Sequence, residues 1–181
     1  MGAMERLDDR MIIAPGPGDA AALAEVHVDS WRETYAGLLP DIYLWRMDPQ
    51  LHARRFRRQL MAEKPVEVML AAEGRGGLAG YCAGHIHSDG RRAEVSTLYL
   101  LKTAQKLGLG KRLLVATARV LQARAADSLS LWVLDGNEPA RGFYTHLGGL
   151  PVGGRAVQGW GGGFRETAFL WPDINGLTRS V

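Results

Sequence analysis

The sequence predicts a mixed α/β domain whose sheet is mostly antiparallel, and three observations carry that prediction. Two apolar runs, "VEVMLAAE" and "LAGYCAGHIHS", are joined by the turn "GRGG", the pattern of an antiparallel hairpin. Further on, "AEVSTLYLL", a glycine-bearing turn, a helix-like stripe and "SLSLWVL" follow one another, a strand–helix–strand crossover. Finally, "PVGGRAV" and "RETAFLWP" form a closing pair of strands around the glycine-rich loop "GWGGGF". At 181 residues the chain is read as one domain, long enough to bury a core without disulfides or metals.

The elements follow in order. "RMIIAPG" is a short first strand, ended by Pro15 and Pro17. Asp19 is placed to cap a helix through "AAALAEVHVDSWRETY", with Leu23, Val26 and Trp31 on its inner side. "GLLPDIYLWRM" is a turn and a second short helix. Pro49 suits the first turn of a third helix, which carries Leu51, Phe56 and Leu60. After the hairpin and "AEVSTLYLL", the positions Leu113, Leu114, Ala116, Ala118, Val120 and Leu121 make a helical apolar stripe from Leu109 to Ala125. "EPARGFYTHLG" is a helix before the closing strands.

Composition excludes several classes. Hydrophobic residues are 46% and charged residues 23% of the chain, ordinary for a soluble globular protein. A formal net charge of +3 is too mild to argue for nucleic acid, and Arg54, Arg55, Arg57 and Arg58 suit the wet side of a helix. Cys82 is the single cysteine, so no intramolecular disulfide is available and a reducing compartment is expected. No apolar stretch approaches the roughly 18 residues of a membrane span, and "MGAMERLDDR" lacks the apolar core of a signal peptide. The expectation is a cytoplasmic protein with neither membrane nor nucleic-acid partner.

The segment "QKLGLG" at 105–110 carries the most chemistry. A strand that feeds a glycine turn and then a helix gathers free backbone N–H groups at the positive end of the helix dipole, and an anion is the natural guest. Gly108 and Gly110 remove side chains that would block it, while Lys111 and Arg112 add charge. A nucleotide P-loop is excluded, because position 105 is Gln where Gly is needed and Arg112 follows Lys111 where Ser or Thr is needed. A dinucleotide fingerprint is excluded as well, because Leu113 stands where its third glycine belongs.

"Q-K-L-G-L-G", preceded by "LYLL" and followed after one helix and strand by "LWVLDGNEPARGFYTHLG", resembles the GNAT acetyltransferase superfamily in order and spacing over about residues 10–172. The opening "HVDSWRETYAGLLP" is similar to that of many bacterial members. The resemblance implies a central, mostly antiparallel twisted sheet of about six or seven strands with about four or five helices, splayed at the cofactor site. It also implies transfer of an acetyl group from acetyl-CoA, without a metal, to a primary amine of a small molecule or peptide, by direct attack in a ternary complex. A GNAT-fold sensor that binds acyl-CoA without turnover is the alternative, and a homodimer is compatible with the family.

Residue by residue, the resemblance assigns backbone groups around Leu98 and Leu100 to the pantetheine arm and acetyl group. The Leu100 amide would polarise the thioester carbonyl. The backbone of Gln105, Lys106, Leu107, Gly108, Leu109 and Gly110, helped by Lys111, would hold the pyrophosphate, and Asn137 would contact the cofactor. Tyr144 would protonate the departing thiolate, as a phenol with a pKa near 10 can do; outside this signature it reads more readily as a half-buried aromatic on an amphipathic helix, beside Phe143. Glu94, which shares strand parity with Leu98 and Leu100, and Glu33 are candidate general bases, each equally readable as a surface carboxylate. Trp31 and Tyr35, with Trp45, are candidates for an acceptor pocket that binds amines by contact and cation–π attraction. His85 and His87 alternate on a strand with no third ligand at recognisable spacing, and are read as ordinary strand histidines. Trp160 is either on a lid or at a hairpin tip.

Three departures from the family pattern stand out. Lys102-Thr103-Ala104 replaces a common proline, Lys106 stands where glycine is frequent, and Gly149 replaces the usual aromatic after "HLG".

Overall fold

The computed structural model describes residues 10–63, 67–74, 76–158, 160 and 162–179. The N-terminal residues 1–9 read above for a leader, Lys64 of the basic run, Val66 of the first hairpin strand, Arg75 of its turn, and Gly159 and Gly161 of the glycine-rich loop lie outside them.

Seven strands form one sheet: β1 Met11–Ile13, β2 Val68–Gly74, β3 Gly77–Ile86, β4 Arg92–Leu100, β5 Ser128–Leu134, β6 Leu150–Ala156 and β7 Arg165–Trp171. Their order is β1-β2-β3-β4-β5-β7-β6, and every neighbouring pair is antiparallel except β4 and β5. The last strand in sequence therefore inserts between β5 and β6.

Six α-helices are described: α1 Ala20–Tyr35, α2 Asp41–Trp45, α3 Pro49–Leu60, α4 Leu109–Ala123, α5 Glu138–His146 and α6 Asn175–Thr178. The sixth, four residues long, was not expected.

Helices cover both faces of the sheet, so the central strand β3 reads as one apolar run, buried from Ala79 to Gly84. On one face α4 buries Leu109, Leu113, Leu114, Ala118 and Leu121 against Cys82, Val95 and Leu131. The expected stripe is the observed one, apart from Ala116 and Val120, which are only half-buried. On the other face Leu23, Ala24 and Val26 of α1 and Phe56 of α3 pack on Tyr81 and Ala83.

Two local expectations are corrected. Asp19 does not cap α1; its Oδ2 accepts the N–H of Gly16 at 2.7 Å and closes the turn ahead of the helix. Leu51 is not a core residue of α3, being 44% exposed. The N-cap of α3 is Asp48, whose carboxylate accepts the Gln50 N–H beside Pro49.

Candidate functional site

The two parallel strands part company in mid-sheet. β4 and β5 are paired only from Arg92 to Val95 against Ser128 to Leu131, although β4 continues to Leu100 and β5 to Leu134. A bulge begins the divergence. Thr97 pairs with Ala83 and Val95 with Gly84, so Ser96 is the extra residue, and such an insertion bends and twists a strand.

Beyond the bulge, the Leu101 N–H donates to Ala79 on the β3 side at 3.0 Å. Alternation then turns the N–H groups of Leu98 and Leu100 toward the gap that β5 has left. The Leu100 carbonyl is taken by the Gln105 side chain at 3.1 Å, which leaves the Leu98 and Leu100 amides and the Leu98 carbonyl open on this edge.

At the mouth of the gap the chain turns into α4. Lys102–Ala104 forms one 3₁₀ turn, and the Gln105 N–H is spent on the Lys102 carbonyl at 3.2 Å. Lys106 and Gly108 both adopt left-handed backbone, at φ 61° and 75°. No side chain caps α4, and the first backbone bond that closes its opening turn is from Arg112 N–H to the Gly108 carbonyl. The amides from Gly108 to Lys111 therefore open the helix unpaired, at its positive end.

Gly110 keeps this start close to the strand and to α5. A Cβ there would lie 3.3 Å from Phe143 Cζ and 3.5 Å from Leu100 Cδ1. The side chains of Leu107 and Leu109 contribute in opposite ways, since Leu107 is exposed and Leu109 is wholly buried as the anchor of α4.

Tyr144 lies on α5, the helix that follows β5. It is 7% exposed and sits among Phe143, Phe169 and Trp171, with ring centroids 5.1, 5.9 and 6.2 Å away. Burial, reinforced by Cys82 and Tyr35, raises its pKa well above the ordinary phenol value, so the hydroxyl keeps its proton throughout the neutral range. Asn137 is the N-cap of α5, its Oδ1 accepting the Ala140 N–H at 3.2 Å. The aromatic that Gly149 lacks is supplied by β7: a Cβ on Gly149 would meet Trp171 Cζ2 at 2.7 Å.

The opposite face of β4 is aromatic. Tyr99 pairs with Tyr81 across the strands and points away from Leu98 and Leu100. Trp31 lies 4.8 Å from Tyr35, 6.0 Å from Tyr99 and 6.1 Å from Trp160. Tyr35 and Tyr99 bring their hydroxyls to 3.5 Å. Trp160 is thus seated on α1, whereas Trp45 is 77% exposed and outside the cluster.

His27 continues the stripe, 5.7 Å from Trp31 and 5.6 Å from Tyr99, with Nδ1 2.7 Å from the Tyr81 hydroxyl. Burial, with His52 and Arg55 adding to it, lowers the His27 pKa to about 4. Sequence reasoning missed His27, Tyr81 and Tyr99. The signal was present in His27, Trp31 and Tyr35, which recur every four residues on one helix face.

The two candidate bases are placed elsewhere. The parity that joined Glu94 to Leu98 and Leu100 is reversed by the bulge at Ser96, and Glu94 shares the face of His85 instead. It stands roughly 13 Å along the strand from Leu98, 3.8 Å from His87 Nε2. The carboxylate of Glu33 accepts the Lys102 N–H at 2.9 Å and so ties α1 to the glycine turn. Among the described residues no group of three or more His, Cys, Asp and Glu is arranged to hold a metal. No helix among them is long and apolar enough to cross a membrane.

Comparison with known proteins identifies the family and the fold. Residues 22–149 match the model of the acetyltransferase (GNAT) family. The uncharacterized N-acetyltransferase YuaI of Bacillus subtilis is 30% identical over 162 residues, covering 88% of this chain and 91% of that protein. The probable N-acetyltransferase Rv2775 of Mycobacterium tuberculosis is 30% identical over 137 residues, covering 74% and 75%. Among solved structures, PaiA N-acetyltransferase from Thermoplasma acidophilum, in complex with coenzyme A, superposes with a TM-score of 0.73 at 20% identity. That match covers 90% of this chain and 98% of the other.

Proposed function

The chain belongs to the acetyltransferase (GNAT) family and is an acyltransferase; from that premise we propose that one domain, with its core over about residues 10–172, transfers an acetyl group from acetyl-CoA to a primary amine. The acceptor is a small molecule or a peptide, and attack is direct, within a ternary complex. The observation that carries this reading is the junction of two features: a strand edge opened by the parting of β4 and β5, and an uncapped helix start a few residues downstream. The first suits an extended, amide-bearing arm and the second a pyrophosphate.

In this reading the Leu98 and Leu100 amides hold the pantetheine arm and the thioester, and the Leu100 N–H polarises the carbonyl. The open backbone amides from Lys106 to Lys111 bind the pyrophosphate, with Lys106 and Lys111 supplying charge. Gln105 acts through its side chain, holding the Leu100 carbonyl, rather than through its amide. Tyr144, kept protonated by burial, gives its proton to the departing thiolate. Asn137 sets the start of α5 and so the position of Tyr144.

Because Glu33 is bound to Lys102 and Glu94 stands roughly 13 Å along the strand from Leu98, the acceptor's proton leaves through water. The rate should therefore rise with pH as the amine loses its proton. Release of coenzyme A thiol on addition of primary amines tests the activity. Tyr144→Phe should lower kcat by roughly 10²-fold with little change in the KM for acetyl-CoA. No thiol release with any amine would leave an acyl-CoA-binding protein without turnover.

A further inference from the structure

The bulge that parts β4 from β5 is held from outside its own strand. Val95 and Leu98 are three positions apart, yet both pack into the core on the α4 face, where unbroken alternation would put them on opposite faces. One residue between them is therefore extra, and either Ser96 or Thr97 would satisfy that packing. The register chooses Ser96, because Thr97 takes Ala83 as its partner.

The choice coincides with a set of side-chain hydrogen bonds. The Ser96 hydroxyl lies 2.7 Å from Glu67 Oε1 and 3.3 Å from the Ala83 carbonyl. The other carboxylate oxygen of Glu67 accepts the side-chain amide of Gln59. Glu67 directly precedes β2, and Gln59 belongs to the last turn of α3. The tie thus runs from α3 across the β2–β3–β4 part of the sheet to the bulge. Bonds to a carboxylate are roughly twice as strong as those between neutral groups, so Glu67 pins the extra residue more firmly than a neutral acceptor would.

The place of the bend matters to the strand edge beyond it. Leu98 is two positions past Ser96. With Thr97 as the extra residue, the bend would move one position, roughly 3 Å, toward the amides assigned to the pantetheine arm and thioester. On the acetyltransferase reading, we infer that Glu67 and Ser96 are positioning residues for the transfer. They fix the bulge at Ser96, and with it the point at which the Leu98 and Leu100 amides turn into the gap. The Leu100 N–H meets the thioester; Glu67 and Ser96 act only through the strand.

The test compares wild type with Glu67→Ala, Ser96→Ala, their double variant and Ser96→Thr, which keeps the hydroxyl. Asp89→Ala is the control, since Asp89 accepts the Arg91 and Arg92 N–H groups in the turn of the same β3–β4 hairpin. Amide hydrogen exchange over residues 97–101 is read on the free protein. Affinity is read with acetyl-CoA, coenzyme A and ADP, the last carrying a pyrophosphate without the arm. Glu67→Ala and Ser96→Ala should each speed the exchange about 10-fold and weaken acetyl-CoA about 5-fold, with ADP unchanged. The double variant should be no worse than either single one. Ser96→Thr should match wild type, and Asp89→Ala should leave the acetyl-CoA affinity alone. Unaltered exchange in both alanine variants overturns the inference, as does an ADP affinity that falls together with that of acetyl-CoA. In either case the acetyltransferase reading stands if wild type binds acetyl-CoA. If wild type binds neither acetyl-CoA nor coenzyme A, that reading falls and takes the positioning role with it, whatever the exchange shows. Each single alanine variant decides the matter if the other does not fold.

Discussion

The carboxylate of Glu33, on α1, accepts the backbone N–H of Lys102 at 2.9 Å, at the point where β4 becomes the glycine turn. One helix of the aromatic face is thereby fastened to the segment that opens α4. Replacing Glu33 by Ala removes a charge-assisted bond worth about 1–2 kcal/mol in a partly exposed setting. The KM for acetyl-CoA should rise roughly 5-fold, with kcat changed less. Glu33→Gln, whose amide oxygen can still accept, should recover most of the loss. A fall in kcat alone, without a change in KM, would instead make Glu33 a base.

Lys106 spends energy on its backbone, at φ 61°. A left-handed conformation costs a residue with a Cβ about 1–2 kcal/mol, part of which glycine returns through the greater freedom of its unfolded chain. Lys106→Gly should therefore stabilise the free protein by about 0.5 kcal/mol, or roughly 1–2 °C in Tm. Thermal denaturation without ligand checks this.

Gly149 shows where the family pattern and this chain diverge. A Cβ there would stand 2.7 and 2.9 Å from Trp171 ring carbons and 3.0 Å from the Tyr144 carbonyl. Trp171 cannot retreat easily, because its Nε1–H is bonded to the Leu147 carbonyl at 2.9 Å. Gly149→Ala should cost about 1–3 kcal/mol by overpacking, read as a lower denaturation midpoint. Activity should fall too, since the clash presses on the residue that carries the proposed acid.

His27 sets a pH dependence of stability. Its pKa is lowered to about 4 in the folded protein from an ordinary 6.5, so between these values the unfolded chain binds a proton that the folded one does not. The stability that His27 supports is complete above pH 6.5 and is lost as pH falls toward 4. The full effect is about 3 kcal/mol, and His52, lowered in the same direction, adds to it. Denaturant unfolding at several pH values should show a steeper acid-side decline in wild type than in His27→Gln.

Much of this architecture is legible in the amino-acid order. The helix boundaries follow from Pro49, Gly108 and Asn137, and the stripe of α4 from its period. Features that depend on pairing across the sheet were not. Glu94 was placed with Leu98 by strict alternation, which holds only in an unbroken strand; the bulge at Ser96 reverses it, and nothing local to "AEVST" announces a bulge. Gly149 stood out only as a missing aromatic, because its filler, Trp171, arrives from a strand that inserts beside β5. The aromatic face was half visible in Trp31 and Tyr35. Tyr99 completes it only once the strand register is known.

The most direct measurement is a thermal shift of the wild-type protein with acetyl-CoA, coenzyme A and NADH in parallel. Binding to the folded state raises Tm by mass action. The account predicts a rise with both coenzyme A species, saturating with concentration, and none with NADH, whose dinucleotide has no fingerprint here to receive it. No shift with either coenzyme A species on the folded protein would contradict the assignment of the β4 edge and the α4 start as the cofactor's seat.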